Sequence, residues 1–508
     1  MWALLALLFT LTFLLWSWWK KSVRLPSANF PNGPIGLPLF GYLSILTEKN
    51  ILVALDKAHD QYGEVMSVNI GPGPRTVVTG DYQVLKEVFK DDKATPRPAD
   101  QMWFHKEFRF GDDATGARGI LFSQGEEWHE QRRFALRRLR DFGLGKSSME
   151  ELIQEEIQQL CALLEKEVNH PLKMDLIYNL SVVNALWTLI TGSRLPLHDP
   201  HIKELVHKID ELVKERGTGK LLLIFPWLRH LIPERIGWSK QKRIFANLFA
   251  FLDKVIEEHR EHFARNKEVV KESPNDFIDA YLAKVDDSSP GSSFYGEQGL
   301  KSLKIALLDL LLAGMETTST ALSWITLYMI RYPEVQAKVQ NEVLTQVGRS
   351  RLVSLEDRAN MPYTEAVIQE VMRISCNVPL SVLHSAQADI HVGSHRIPRG
   401  TSIIQNLHRV MSNPRIFAEP AKFRPDRFLD SEGKCYVKND HNIPFSIGRR
   451  DCLGKSLARA ELFLFFSTIM QRFSFESVHA DLSKINMEPI VNFAQTPPPF
   501  EVIIKRLK

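Results

Sequence analysis

Phe445-Ser446-Ile447-Gly448-Arg449-Arg450-Asp451-Cys452-Leu453-Gly454 is the stretch that organises the whole chain. An aromatic leads into Gly-x-Arg-x-Cys-x-Gly, and a long apolar helical run, Ser456 to Met470, follows at once. Gly448 permits a turn with positive φ, and Gly454 removes a side chain where a flat group must approach. The helix behind Cys452 turns its N-terminal amides and dipole toward the sulfur, which stabilises a thiolate. Arg450 adds a forked guanidinium suited to carboxylates. A thiolate crowded by glycines beside an arginine is the donor set that holds a haem iron from one side. Arg450 then serves a haem propionate, and Phe445 opens the loop.

Every fixed position of this run matches the Phe-x-x-Gly-x-Arg-x-Cys-x-Gly signature of the cytochrome P-450 family, the haem-thiolate monooxygenases. The chain resembles that family over its whole length, anchor and hinge included, and is most similar to the microsomal animal members that metabolise drugs, steroids and fatty acids. The resemblance implies a mainly α fold with a minor β region, a single large haem-binding domain. It also implies haem with Cys452 as the metal ligand, whose thiolate pushes electron density onto iron and favours O–O cleavage.

Composition limits the alternatives. The 508 residues are 44% hydrophobic and 24% charged, as in a globular protein. The net charge of +4 gives no support for a nucleic-acid partner. Four scattered cysteines argue for a reducing compartment rather than a disulfide framework. Met1 to Trp19 carries no charge, close to the roughly 20 residues that a spanning helix needs. Lys20, Lys21 and Arg24 follow it, and Trp16, Trp18 and Trp19 sit at the boundary as interfacial anchors. Charge after the apolar run, not before, reads as an uncleaved signal-anchor. The expected organisation is a transmembrane anchor (1–19), a basic stop-transfer and proline-rich hinge (20–44), and a cytosolic catalytic domain (45–508). The expected site is the endoplasmic reticulum membrane, with one pass. The Asn179-Leu180-Ser181 sequon is then silent.

Short β-like runs, Val65 to Ile70 and Arg75 to Thr79, precede helical patterns over Glu150–Lys166, Ile202–Lys214, Lys240–Phe263 and Asp276–Val285. A small β region is predicted between His384 and Thr401. The longest apolar helical pattern, Leu300 to Ile330, holds Ala313-Gly314-Met315-Glu316-Thr317-Thr318 in its middle. Buried polar residues are costly unless hydrogen-bonded or used. A threonine can back-bond one turn earlier and Gly314 loosens the helix, so a groove for dioxygen and water is expected. The cluster matches the family's oxygen-activation motif, which implies a hydrogen-bonding role for Thr317 at the oxygen site and a proton relay through Glu316. A kinked helix with satisfied polar residues is the plainer alternative.

Glu370 and Arg373, at i and i+3, form an ordinary surface pair on their own. With Phe423-Arg424-Pro425-Asp426-Arg427-Phe428 downstream, the resemblance implies a buried Glu370–Arg373–Arg427 network that serves structure. Trp128 and Arg132 share one helix face at i, i+4, and both can donate to a propionate. His384, five residues after Pro379, is at the place where relatives carry a propionate-binding residue. A structural hydrogen bond is the other reading. Arg133, Arg137, Arg138 and Arg140 make the same helix basic, and a solvated face competes with a docking surface for an acidic reductase. Leu221 to Ile232 reads as core or as a loop that dips into the bilayer.

The expected activity is insertion of one oxygen atom from O2 into a lipophilic small molecule. Electrons would come from NADPH through a separate NADPH-cytochrome reductase, with cytochrome b5 as a second donor, because no Gly-x-Gly-x-x-Gly fingerprint is present. The rivals are an isomerase or dehydratase of the same fold, and a non-catalytic membrane haem protein. The Glu316–Thr317 pair speaks against both. A cysteine hydrolase lacks its histidine base near Cys452.

Overall fold

Strands β1 (Val65–Asn69) and β2 (Arg75–Thr79) pair antiparallel across the predicted Gly/Pro turn. In the computed structural model, residues 2–507 are described apart from 23–25, 38–39, 72, 99–106, 110–115, 175, 196–198, 215–221 and 223–224. Strand β2 then pairs parallel with Ser402–Gln405, which pairs antiparallel with His384–Ser385. The hinge packs onto this sheet. Ser67 Oγ donates to Pro31 O (2.7 Å), and a Cβ on Gly33 would lie 1.8 Å from Ser67 O. The proline-rich stretch is therefore a docked edge, and Phe30 is buried within it.

The remainder is mainly helical. The longer helices are α1 (Trp2–Ser22), α2 (Ile51–Tyr62), α3 (Tyr82–Val88), α4 (Gly125–Asp141) and α5 (Ser147–Lys166). Next come α6 (Asn179–Thr191), α7 (Pro200–Lys214), α8 (Trp238–Arg265) and α9 (Phe277–Asp286). Helices α10 (Gly296–Arg331), α11 (Pro333–Gln346), α12 (Pro362–Ser375) and α13 (Lys455–Arg472) complete the set. The α5 stripe shows the logic: Met149, Ile153, Ile157, Leu160 and Leu164 recur at three- and four-residue spacing, and all are buried. A C-terminal sheet, Pro171–Lys173, Glu501–Arg506 and Phe473–Ser477, has no counterpart in the sequence expectations. Its pairing is non-local, which local patterning cannot reveal.

Helix α10 is long and apolar enough to cross a membrane, yet 78% of its most apolar stretch is buried in the protein. It is the central core helix, packed against α6, α12 and α13. Helix α1 is the opposite case: Trp2, Leu5, Leu8, Phe9, Leu11, Phe13, Leu14 and Trp16 are all exposed. The side chains of Trp18, Trp19, Lys20 and Lys21, and Arg24 as a whole, lie outside the described residues. Within the Leu221–Ile232 stretch, Leu222 is buried, whereas Trp227 and Leu231 are exposed. Asn179 is buried and donates to Glu316 (3.1 Å), so the sequon is closed to modification in the folded protein.

Behind the cysteine loop the expected charge network is present. Arg373 Nε and Nη2 donate to the two oxygens of Glu370 at 2.7 and 2.9 Å, and Arg427 Nε adds a third bond at 3.0 Å. The Arg424 amide supplies a fourth (2.9 Å), and Arg373 also donates to the Met411 and Pro420 carbonyls.

Candidate active site

The cysteine loop is held by two left-handed residues, Ser446 (φ 62°) and Gly448 (φ 90°). Gly448 is obligatory, since a Cβ there would meet Phe89 O at 2.3 Å. The Cys452 amide closes the loop by donating to Phe445 O (3.0 Å). Gly454 differs. Its φ of −90° suits any residue, and a Cβ would meet nothing within 4 Å. What it provides is open space at the start of α13.

Cys452 is exposed by surface area, yet desolvation raises its thiol pKa above the usual value. The nearby Asp451 carboxylate also raises it, while the Gly454 amide, Arg132 and Lys455 pull the other way. A side chain both accessible and poorly solvated opens into an internal cleft. There a bound metal would replace the proton outright.

Three arginines gather beside it. Arg132 Nη2 donates to the carbonyl and carboxylate of Asp451 (both 2.9 Å). Arg450 lies 3.9 Å over the Trp128 ring and donates to Thr95 O (3.1 Å) and Ser123 O (2.6 Å). Arg97 donates to the Leu121, Val382 and Leu383 carbonyls. Burial and mutual repulsion depress Arg450 to about 7 and Arg97 to about 9. Among the described residues, neither Arg97 nor Arg450 meets a carboxylate. Trp128 is buried, and its Nε1 has no hydrogen-bond partner. Two unneutralised guanidiniums, an orphaned indole N–H, the open space at Gly454 and the thiol fit a flat dianion carrying a thiolate-seeking metal. Haem meets that description.

Arg97 is absent from the sequence expectations. Its signal was Pro96-Arg97-Pro98, an arginine fixed in extended backbone between two prolines. The loop that supplies its carbonyl partner is pinned from α10. Asp309 accepts from the Ile120 and Leu121 amides (2.8 and 2.9 Å) and pairs with Arg109. The sequence showed no trace of that tie.

His384 is buried at the same cluster, with both ring nitrogens engaged. Nδ1 donates to Ala94 O (2.9 Å), leaving Nε2 to accept from Gln405 Nε2 (3.3 Å). Gln405 in turn accepts from Ser446 Oγ (2.6 Å), so this chain braces the cysteine loop. Burial, with Arg97 and Arg450 nearby, holds the imidazole well below its usual pKa, in the neutral form. Of the two readings of His384, its described bonds match the structural one, and a carboxylate contact requires Gln405 to let go.

Helix α10 is unbroken, and this departs from the expected loosening at Gly314. A Cβ at Gly314 would lie 2.6 Å from Leu186 Cδ2, so the glycine permits close approach of α6. Thr317 Oγ1 donates to Ala313 O (2.8 Å), and Ala313 is exposed although α10 is the central core helix. Glu316 points about 100° away around the helix. It is buried against Asn179 and lines a cavity of about 20 Å³ with Asp210, Ser319, Thr320, Ser323 and Thr496. That is room for a water molecule. Thr317 and Glu316 thus face different spaces. On the outer face of α4, Arg133, Arg137 and Arg140 are exposed.

The family model for cytochrome P450 matches residues 31–504. Cytochrome P450 2D26 of Rattus norvegicus is 36% identical over 486 residues, covering 94% of this chain and 93% of that protein. Cytochrome P450 2F5 of Gorilla gorilla gorilla is 35% identical, with 94% of each chain covered. Cytochrome P450 2J2 of Homo sapiens is 36% identical over 92% of this chain and 90% of its own length. The chain belongs to the cytochrome P450 family, whose members are monooxygenases that bind haem through a cysteine thiolate.

Proposed function

We propose that this cytochrome P450 inserts one atom of O2 into a lipophilic small molecule, by hydroxylation or epoxidation, with Cys452 as the iron ligand. The observation that carries the assignment is the set of buried guanidiniums near Cys452 whose described bonds reach only carbonyls, together with the unpartnered Trp128 indole N–H. Arg97, Arg132, Arg450 and the Trp128 indole would hold the haem propionates. Gly454 leaves the macrocycle room and Phe445 closes the loop behind the sulfur. His384 keeps the loop in register through Gln405 and Ser446. When bound, the haem supplies reductive activation of dioxygen.

The chain's own residues set the conditions for that chemistry. Thr317 offers a hydroxyl on the cleft face, able to exchange its bond to Ala313 O for one to a ligand. Glu316, which lines the water-sized cavity, would resupply protons once its side chain turns from Asn179. Electrons would come from NADPH through a separate reductase, with cytochrome b5 as a second donor, both docking on the α4 arginines. Helix α1 would span the endoplasmic reticulum membrane once, with the catalytic domain cytosolic and the exposed Trp227 and Leu231 dipping into the bilayer. Its 21 residues, at about 1.5 Å each, cover about 30 Å, the thickness of a hydrocarbon core.

The test is a carbon monoxide difference spectrum of the dithionite-reduced protein beside Cys452→Ser. A strongly red-shifted Soret band present only in the unmutated protein is expected. An ordinary haem–CO band in both would remove Cys452 from the iron. With reductase added, Thr317→Val should keep that band and lose at least tenfold in product formed per NADPH consumed. Unchanged coupling would take Thr317 out of the oxygen site.

A further inference from the structure

Far along the chain from the cysteine loop, the end of α8 meets the start of α9. His259, Asp276 and Asp279 bring one ligand atom each to within 4.8 Å of one another. The bonds around them are directional. His259 Nδ1 donates to Val255 O (2.7 Å), one turn back on its own helix. That fixes the ring and turns Nε2 toward the carboxylates, 3.2 Å from Asp276 Oδ2. A backbone carbonyl on the second nitrogen is the usual support of a metal-binding imidazole. Asp276 Oδ1 is committed to the Asp279 amide as the cap of α9 (2.9 Å), leaving Oδ2 for the cluster. Asp279 Oδ2 accepts from the amide and side chain of Asn275 (both 3.3 Å). Its Oδ1 is buried without a hydrogen bond, and the residue is 2% exposed. His262, one turn after His259, approaches it no closer than 4.0 Å, with its side chain 44% exposed and room to move.

Two buried carboxylates therefore share one fixed imidazole, and one oxygen has no donor. Such an arrangement is expensive unless a further positive charge arrives. The two helices each offer an i, i+3 pair, His-x-x-His and Asp-x-x-Asp, on facing sides of one junction. We propose that His259, Asp276 and Asp279, closed by His262, form a binding site for a single Zn2+-class divalent cation, separate from the haem. Two imidazoles and two carboxylates suit zinc in a tetrahedral shell, with metal–ligand distances of roughly 2.0–2.2 Å. Ligand atoms in that shell lie about 3.5 Å apart, so the cluster contracts by about 1 Å on binding. The ion would tie α8 to α9.

The haem-loaded, full-length protein is stripped with a chelator and dialysed against Zn2+, beside His259→Gln, Asp279→Asn and Asp253→Asn. Asp253 lies on α8 and pairs with Lys304, away from the cluster. The unmutated protein and Asp253→Asn should take up one more Zn2+ per chain than the two cluster variants, and only they should melt higher with Zn2+. The reduced carbon monoxide band should be the same in all four, showing that lost uptake is not lost fold. Equal uptake in all four proteins, or equal loss in Asp253→Asn, would overturn the site. The near-isosteric Asp279→Asn keeps the test open if His259→Gln folds poorly.

Discussion

The protein holds two buried arginine clusters, and their hydrogen bonding differs. In the first, Arg373 and Arg427 surround Glu370, each carboxylate oxygen is bonded, and both guanidiniums also donate to backbone carbonyls. In the second, Arg97 and Arg450 are as deeply buried, yet their described bonds reach only carbonyls, and the neighbouring Trp128 N–H reaches nothing. A saturated cluster is scaffold. An unsaturated one is strained until a ligand completes it, and here the missing charge is negative. The junction of α8 and α9 is the mirror image, short of positive charge.

The largest effect should come from breaking the saturated cluster. Arg373→Ala leaves Glu370 charged, fully buried and short of two bonds, a change that costs roughly 3–5 kcal/mol. No folded haem-loaded protein is expected, as read by the Soret absorbance and far-ultraviolet circular dichroism. Recovery of normal holoprotein would mean that saturation does not mark scaffold.

The mirror-image cluster should show itself in pH dependence. His259 is raised from its ordinary value to about 9; burial opposes this, but the bond and charge of Asp276, with Asp279 behind, prevail. Between about 6.5 and 9 the folded state holds a proton that the unfolded state has released, so stability falls as pH rises through that window. In metal-free protein the pair contributes up to about 3 kcal/mol below the window. Chemical denaturation at pH 6.5 and pH 9 should differ accordingly, and His259→Gln should flatten the difference. An equal slope in the variant would assign it to other groups.

The unsaturated cluster yields a smaller and more selective prediction. Trp128→Phe keeps the aromatic face under Arg450 and removes only the orphaned donor. The haem-free fold should be unaffected. A hydrogen bond to a charged group contributes roughly 1.5–3 kcal/mol, so haem should transfer to apomyoglobin about ten to a hundred times faster. An unchanged transfer rate would show that the indole N–H faces no propionate.

Legibility followed the same division. Contiguous motifs were readable as local structure: the turn of the cysteine loop, the helix that carries the Ala313–Thr318 run, and the strands on either side of Gly71. So was the Glu370 network, because its two halves each carry a local pattern. Arg97 was not, since it joins Arg132 and Arg450 only when three distant segments meet. The Asp309 tie and the Phe473–Arg506 sheet were hidden for the same reason. The role of Gly314 was misjudged because a glycine inside a helix looks alike whether it loosens its own turn or admits a neighbour such as Leu186.

One helix carries both behaviours, which allows a last test. The inner face of α4 gives Trp128 and Arg132 to the buried cluster, while its outer face exposes Arg133 and Arg137 to water. If those outward arginines steer an acidic reductase, their influence falls off within about 8 Å at physiological salt. Arg133→Gln/Arg137→Gln should then slow the second-order rate of haem reduction several-fold at low ionic strength and leave the carbon monoxide band intact. The gap between the variant and the unmutated protein should close as salt is added. Inward substitutions of Trp128 should show the reverse pattern, with haem retention lost and the salt dependence of reduction kept. A reduction rate indifferent to salt in both proteins would make the outer arginines an ordinary solvated face.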